Sequence, residues 1–347
     1  MRVGVIGLGG MGTHHARVIK GIPFVSEVVG CDLNPELRAS AERKLGITTV
    51  PGVNALLDRE CGAAFVVVQP TAHAAVAEPV LKAGVPVFTE KPIATKMADA
   101  RRLVDLAREA GIAFQVGFEL RCCGMTRAMK DVVASGAVGE PLNVGLAQLS
   151  GPHGKGRFTR ERVGGIFYEK LCHQIDYYRF WLGEPERVMA IAGPNALQHY
   201  GVPDNVLSSL VFPGGRTGNI TFLTTRAAQI GGRSDHGDRG HFYELTLTCT
   251  DGALTYCAWT ETLSVVKFNH RDDCRNELIE RIDVRDRYGE PTYDLETQNA
   301  GFLESVRDGT PPPLPASDAL VTMEWVARAE ASLETGGEWI DASYDVA

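Results

Sequence analysis

Arg2-Val3-Gly4-Val5-Ile6-Gly7-Leu8-Gly9-Gly10-Met11-Gly12 is the stretch that decides the fold. Val3, Val5 and Ile6 read as a short buried strand. Gly7, Gly9 and Gly12 follow with the spacing G-x-G-x-x-G and open a helix over 11–20. The first glycine permits a tight turn, the second lets backbone approach a pyrophosphate, and the third lets helix and strand close up. The free N–H groups of the new helix, at Gly10 and Met11, and its positive dipole end would hold phosphate charge. A second apolar run, Val28-Val29-Gly30-Cys31, ends in Asp32, 20 residues after Gly12. A dinucleotide-binding fold carries an acid there that accepts from the ribose 2′-OH of NAD and repels the 2′-phosphate of NADP. A structural glycine turn, with Asp32 capping the Asn34-Pro35 segment, is the plain alternative.

From this start to residue 118, strand and helix alternate, the pattern of a parallel sheet covered on both faces. Helices are expected at 35–45, 53–60, 74–83 and 97–109. Apolar strands are expected at 64–68, 85–88 and 113–118. The pattern then changes. Helices at 125–135 and 166–182 flank a strand at 142–149 and a basic, glycine-rich loop at 151–165. Period-two runs follow at 206–212, 218–224, 243–248, 254–259 and 263–268, the mark of a mostly antiparallel sheet with one covered face. The tail returns to helix at 295–307 and 317–334. The expectation is therefore α/β: a doubly wound parallel sheet over 1–118, then an α/β domain over 119–347 with a large open, mostly antiparallel sheet. The helix at 317–334 is expected to pack back towards the first domain.

With 347 residues, 44% hydrophobic and 22% charged, the chain has the composition of a globular protein of two ordinary domains. A net charge of −8 argues against nucleic acid or an anionic membrane as partner. No apolar run approaches the roughly 18 residues of a membrane span. The eight cysteines (31, 61, 122, 123, 172, 249, 257, 274) show neither C-x-x-C nor a metal-type cluster with histidines. The expectation is a reduced, cytoplasmic protein without a metal.

Two constellations carry chemistry. Glu90-Lys91-Pro92 stands at the C-terminal end of a parallel strand, the edge where ligands sit in open α/β sheets. A lysine there stabilises an alkoxide or shuttles a proton, and a cationic nicotinamide beside it would lower its pKa. A lysine paired to Glu90 in a surface turn is the plain reading. The second is Glu169-Lys170-Leu171-Cys172-His173-Gln174-Ile175-Asp176. Glu169 and His173 are i,i+4, and Asp176 lies three residues beyond, so helical spacing puts all three on neighbouring faces. A histidine flanked by carboxylates suits general acid/base work near neutral pH. The apolar and aromatic residues around the trio make a mere surface pair costly.

With these residues in view, the chain resembles the Gfo/Idh/MocA oxidoreductases, which include inositol dehydrogenases and glucose–fructose oxidoreductase. The resemblance runs over nearly the full length. It goes from G-L-G-G-M-G through A-G-V-P-V-F-T-E-K-P, S-G-A-V-G-E-P and G-G-I-F-Y-E-K-L-C-H-Q-I-D to V-R-D-G-T-P-P-P-L-P-A-S-D-A-L. It implies an N-terminal Rossmann domain, a C-terminal domain whose open sheet often makes dimers or tetramers, and an active site between them. By that resemblance Lys91 is the catalytic lysine and His173 the general acid/base. Glu90 and the loop Gln69-Pro70-Thr71-Ala72-His73 then lie near the nicotinamide ribose. Two departures stand out. Glu169 replaces the Asp that many polyol dehydrogenases carry four residues before the histidine, and Glu119-Leu120-Arg121-Cys122 replaces an N-R-R-F-like run. Both point away from myo-inositol itself as substrate.

The resulting expectation is NAD-dependent, reversible oxidation of a secondary hydroxyl on a sugar, cyclitol or related polyol. His173 takes the proton, Lys91 stabilises the alkoxide, and Glu169 orients His173 or a substrate hydroxyl. Two other classes use the same residues: NAD-assisted cleavage of a glycoside by oxidation, elimination and reduction, and a non-catalytic NAD(H)-responsive protein. Substrate contacts are expected from Asp176, His153, Arg157 and His236, the latter three on the loops 151–165 and 229–241. A homodimer or homotetramer is expected from the open sheet.

Overall fold

Each apolar run of the first third becomes a strand of one parallel sheet. The computed structural model describes residues 1–151, 156–224, 242–269 and 275–346. The strands are β1 (Arg2–Ile6), β2 (Glu27–Cys31), β3 (Thr48–Val50), β4 (Ala63–Val66), β5 (Val87–Glu90) and β6 (Phe114–Gly117), in the order β3-β2-β1-β4-β5-β6. Val3, Val5, Phe65 and Phe88 are fully buried in it. β3 was not read from the sequence: three residues at a sheet edge carry too little periodicity. The helices α1 (Gly10–Lys20), α2 (Pro35–Leu45), α3 (Val53–Leu57), α4 (His73–Lys82) and α5 (Met97–Ala110) fill the crossovers. Strand order reverses between β1 and β4, and the crevice beyond the carboxyl ends of those two strands is where this topology takes a ligand.

After a short turn at Glu119–Arg121 comes α6 (Gly124–Ala134), then β7 (Pro141–Ser150), the short α7 (Arg160–Val163), a π-helical turn (Phe167–Leu171) and α8 (Cys172–Leu182). Strands β8 (Arg187–Ala192), β9 (Asn205–Phe212), β10 (Arg216–Thr224), β11 (Phe242–Cys249), β12 (Gly252–Cys257), β13 (Thr262–Lys267) and β14 (Glu277–Asp283) follow. The chain ends in α9 (Val284–Tyr288), α10 (Leu295–Asp308), α11 (Ala316–Glu334) and β15 (Ile340–Asp341). The second sheet runs β14-β13-β12-β11-β7-β10-β9-β8-β15, antiparallel except where β7 meets β10. Strands β8, β14 and β15 escaped the sequence reading. Glu277–Asp283 is charged and exposed along most of its length, so no apolar alternation marks it.

One face of this sheet is covered by α8 and α6. Val144, Leu210, Ile220, Phe222, Leu245 and Leu254 point into that layer and are buried. The opposite face shows Ile191, Leu207 and Leu223 to solvent, with Ile191 opposite Leu207 in the ladder. The C-terminal helices reach the first sheet. α11 packs on α5 and β6, and its Glu324 pairs with Arg101 of α5. Phe302 and Leu303 of α10 enter the core formed by Val3, Val5, Phe65 and Phe88. Among the described residues no helix is long and apolar enough to cross a membrane.

Candidate active site

At the switch point the glycines do what their spacing requires. Gly7 holds φ +94°, and a Cβ there would lie 2.2 Å from the Val67 carbonyl oxygen. A Cβ on Gly12 would lie 1.7 Å from the Gly7 oxygen, so strand and helix touch through backbone alone. Gly9 and Gly10 face open space, and no side chain caps α1, whose first N–H groups stay free for an anion. Met11 is half-buried in that first turn. Asp32 is fixed at the end of β2: Leu8 N donates to one oxygen at 2.8 Å and Asn34 N to the other at 2.8 Å. Remaining lone pairs are left for a ribose hydroxyl. Turn, bare helix end and anchored acid together fit a dinucleotide.

The other residues expected around the cofactor divide. Gln69 and Thr71 are exposed at the end of β4, on the crevice side. His73 is buried, and both ring nitrogens face main-chain carbonyls, of Pro92 at 2.6 Å and Val68 at 3.1 Å. Burial lowers its pKa against those two carbonyls, and its work is to tie the loop after β4 to the Glu90-Lys91-Pro92 turn. Glu90 also turns inward. His15 Nε2 lies 3.0 Å from its Oε1, and Lys91 N donates to Oε2 at 3.2 Å. His15, fully buried on α1, meets Asn299 of α10 at 3.1 Å with its other nitrogen. Burial works to raise the Glu90 carboxyl, but His15, Lys91 and His73 together hold it below its ordinary value. Glu90 thus acts on the site by anchoring Lys91.

Lys91 crosses to the second half of the chain, where its Nζ donates to the Glu169 carbonyl at 2.7 Å. Burial opposes its charge, yet Glu169, Cys172, Glu90 and Glu119 outweigh it, and its pKa lies above the ordinary lysine value. A nicotinamide cation beside it would act in the opposite direction, downward. Those carboxylates favour the ammonium form of Lys91.

His173 stands in the first turn of α8, edge-on to Phe118. Its Nδ1 lies 3.4 Å from Oε2 of Glu119, which turns Nε2 to the other side of the ring. Glu119 was seen in the sequence only as a departure from a motif, although the residues after β6 are also a strand-end edge. Burial and the charge of Glu90 push its carboxyl up to about 8. The face assigned to Glu169 by i,i+4 spacing is interrupted, because 167–171 form a π turn with i→i+5 bonding. The Phe167 N–H at the start of that turn donates to the buried Glu330 of α11 at 2.7 Å. Glu169 contributes its carbonyl to Lys91 and its charge to the same neighbourhood.

Asp176, expected beside His173 as a substrate contact, is placed elsewhere. It is 1% exposed and accepts from Arg121 through both oxygens, at 2.6 and 2.7 Å, and from Thr322 at 2.9 Å. Its oxygens are taken up inside the protein, joining the turn after β6 to α8 and α11. Arg157 is exposed beside the π turn. His153 and His236 lie outside the described residues.

Residues 1–118 match the GFO/IDH/MocA oxidoreductase family with its NAD-binding Rossmann fold, and residues 126–255 match the family's C-terminal domain. Inositol 2-dehydrogenase of Pseudomonas fluorescens is 31% identical over 318 residues, covering 89% of this chain and 87% of that one. The chain belongs to the GFO/IDH/MocA family. 1,5-Anhydro-D-fructose reductase of Ensifer adhaerens is also 31% identical, over 59% of this chain and 65% of its own length. Levoglucosan dehydrogenase in complex with NADH has the same fold, with TM-score 0.82 over 99% of this chain and 100% of that one at 21% identity. The family assignment makes the glycine turn and Asp32 parts of an NAD-binding Rossmann domain, and the chain a member of an oxidoreductase family.

Proposed function

We propose that this GFO/IDH/MocA protein reversibly oxidises a secondary hydroxyl of a sugar, cyclitol or related polyol, with NAD as the preferred cofactor. The observation that carries the reading is the Lys91 ammonium held on the Glu169 carbonyl, one turn before His173, whose Nδ1 faces Glu119. NAD⁺, when bound, supplies the hydride acceptor. His173 Nε2 accepts the hydroxyl proton while Glu119 holds the Nδ1 side of the ring. Lys91, its ammonium form favoured by the carboxylates around it, stabilises the alkoxide as the C–H bond breaks. The site lies between the two sheets, which fixes the donors relative to the crevice. Asp32, pinned by two backbone N–H groups, favours a ribose diol over a 2′-phosphate.

The test is NADH formation against cyclitols, aldoses, sugar acids and glycosides, with NAD⁺ and NADP⁺ in parallel. Turnover with NAD⁺ on polyols is expected. Release of an aglycone without net NADH would replace the dehydrogenase with redox-assisted glycoside cleavage, and a preference for NADP⁺ would overturn the role given to Asp32.

The pH dependence carries a sign. Below about pH 8 Glu119 keeps its proton; as the pH rises through that value it ionises, and its charge 3.4 Å from Nδ1 favours the proton on that nitrogen, leaving Nε2 with a free lone pair. The kcat for alcohol oxidation should therefore rise through about pH 8. In Glu119→Gln that limb should vanish and kcat fall on the order of a hundredfold, with KM changing less. An unchanged profile would remove Glu119 from the mechanism.

A second copy of the chain is the proposed partner of the outer sheet face that shows Ile191, Leu207 and Leu223. Light scattering should give the mass of two or four chains, and Leu207→Lys should lower it. A monomeric wild type would end this proposal.

A further inference from the structure

Lys170 takes no part in the steps above. It follows Glu169 in the π turn, half-buried, with its ammonium over the Phe158 ring at 5.4 Å from the centroid. Among the described residues no carboxylate comes within ion-pair distance of it. Phe158 is itself a fixed point: it is buried, stacks on Tyr200 at 5.1 Å, and its carbonyl accepts from Gly201 N at 2.8 Å. The segment that delivers Arg157 is thereby pinned beside Lys170.

The electrostatics agree with this placement. Burial, then Lys91 and Arg157 as like charges, push the Lys170 pKa down to about 8 against the opposing pull of Glu169. Tyr293, whose hydroxyl donates to Met11 Sδ at 3.3 Å in the cofactor turn, lies in the field of Glu119, Glu90, Glu169 and Arg157 together. Lys170 directly follows the residue whose carbonyl holds Lys91 and stands three residues before His173, and Arg157 directly precedes the Phe158 ring on which the Lys170 ammonium rests. Glu169 is shared with Lys91, and a cation–π contact alone offsets little of the desolvation of an ammonium. An anion arriving with the substrate supplies what the protein leaves out.

We propose that Lys170 and Arg157 form an anion subsite beside the reacting hydroxyl, and that the substrate is a polyol bearing a carboxylate, a sugar acid. A guanidinium fork and one ammonium match a single planar carboxylate in donors and charge. This rests on the hydride-transfer reading above.

The experiment compares kcat/KM for aldonates and uronates with their matched alditols and aldoses, following NADH, in wild type, Lys170→Met and Lys170→Arg. Wild type should favour the acids by about tenfold or more. Lys170→Met should reduce that preference by about tenfold, and Lys170→Arg should keep most of it. Turnover of neutral polyols with no preference for acids, a preference unchanged in Lys170→Met, or sugar phosphates outranking the acids would each overturn the proposal while leaving hydride transfer intact. Silence with every compound would instead remove the hydride-transfer reading. Calorimetry of aldonates and uronates on the enzyme–NADH complex then decides the subsite. Binding weakened about tenfold in Lys170→Met upholds it, and absent or unaltered binding overturns it.

Discussion

Replacing His173 by alanine is expected to lower kcat about 10²- to 10⁴-fold, the range for a lost general acid/base, while NADH affinity stays close to wild type. That is about 3–5 kcal/mol of transition-state stabilisation. The separation of the two effects follows from the architecture. The glycine turn, the free end of α1 and Asp32 belong to the first sheet, whereas His173 stands on α8 and touches Phe118 and Glu119. Removing the imidazole leaves the dinucleotide-binding elements untouched. Lys91 still stabilises an alkoxide, but no base generates one. The measurement is a pair: steady-state turnover and NADH fluorescence titration on the same preparation. Near-normal turnover in the variant would displace His173 from the mechanism.

Asp176→Ala should act on stability instead. Arg121 donates to both oxygens of Asp176 in a site where the carboxylate is 1% exposed. Burial alone lifts the Asp176 carboxyl, and Arg121 and Thr322 oppose that lift. Removing one partner of a buried pair leaves a charge without its counterpart, at about 3–5 kcal/mol. Arg121 keeps Asp318, at 2.7 Å, so the lower part of that range is expected. The melting temperature should fall by about 4–6 °C, with kcat per folded molecule changed far less. A variant with wild-type melting and a raised KM would instead restore Asp176 as a substrate contact, the role that spacing alone suggested.

The contrast between these two residues shows what the sequence exposes. Gly7, Gly12 and Asp32 were legible because backbone geometry restricts which residues serve there, and that restriction is local. The position of Lys91 was legible because the apolar run before it ends there, at the carboxyl edge of a parallel strand. His15 and Glu119 were not, since each acquires its role from a partner far along the chain: Glu90 for the one and His173 for the other. Helical spacing put Asp176 on a face but carried no information about Arg121, which arrives from the turn after β6. It misled at Glu169, where the π turn changes the periodicity that the argument assumed. Edge strands β3, β14 and β15 were missed because short or charged edges lack apolar alternation.

The reach of α10 into the first sheet has a consequence for synthesis. Asn299 completes the contact of His15 that steadies Glu90, and Phe302 meets Phe65 edge-on at 5.5 Å. The first sheet leaves the ribosome early, but one of its apolar faces waits for residues from the last sixth of the chain. A nascent chain stopped before residue 295 would present Phe65 and Phe88 without their cover and Lys91 on an unsteady turn. Folding of the cofactor half is thus gated by the arrival of the far end, and truncations that spare every nucleotide-binding residue should still yield aggregating protein.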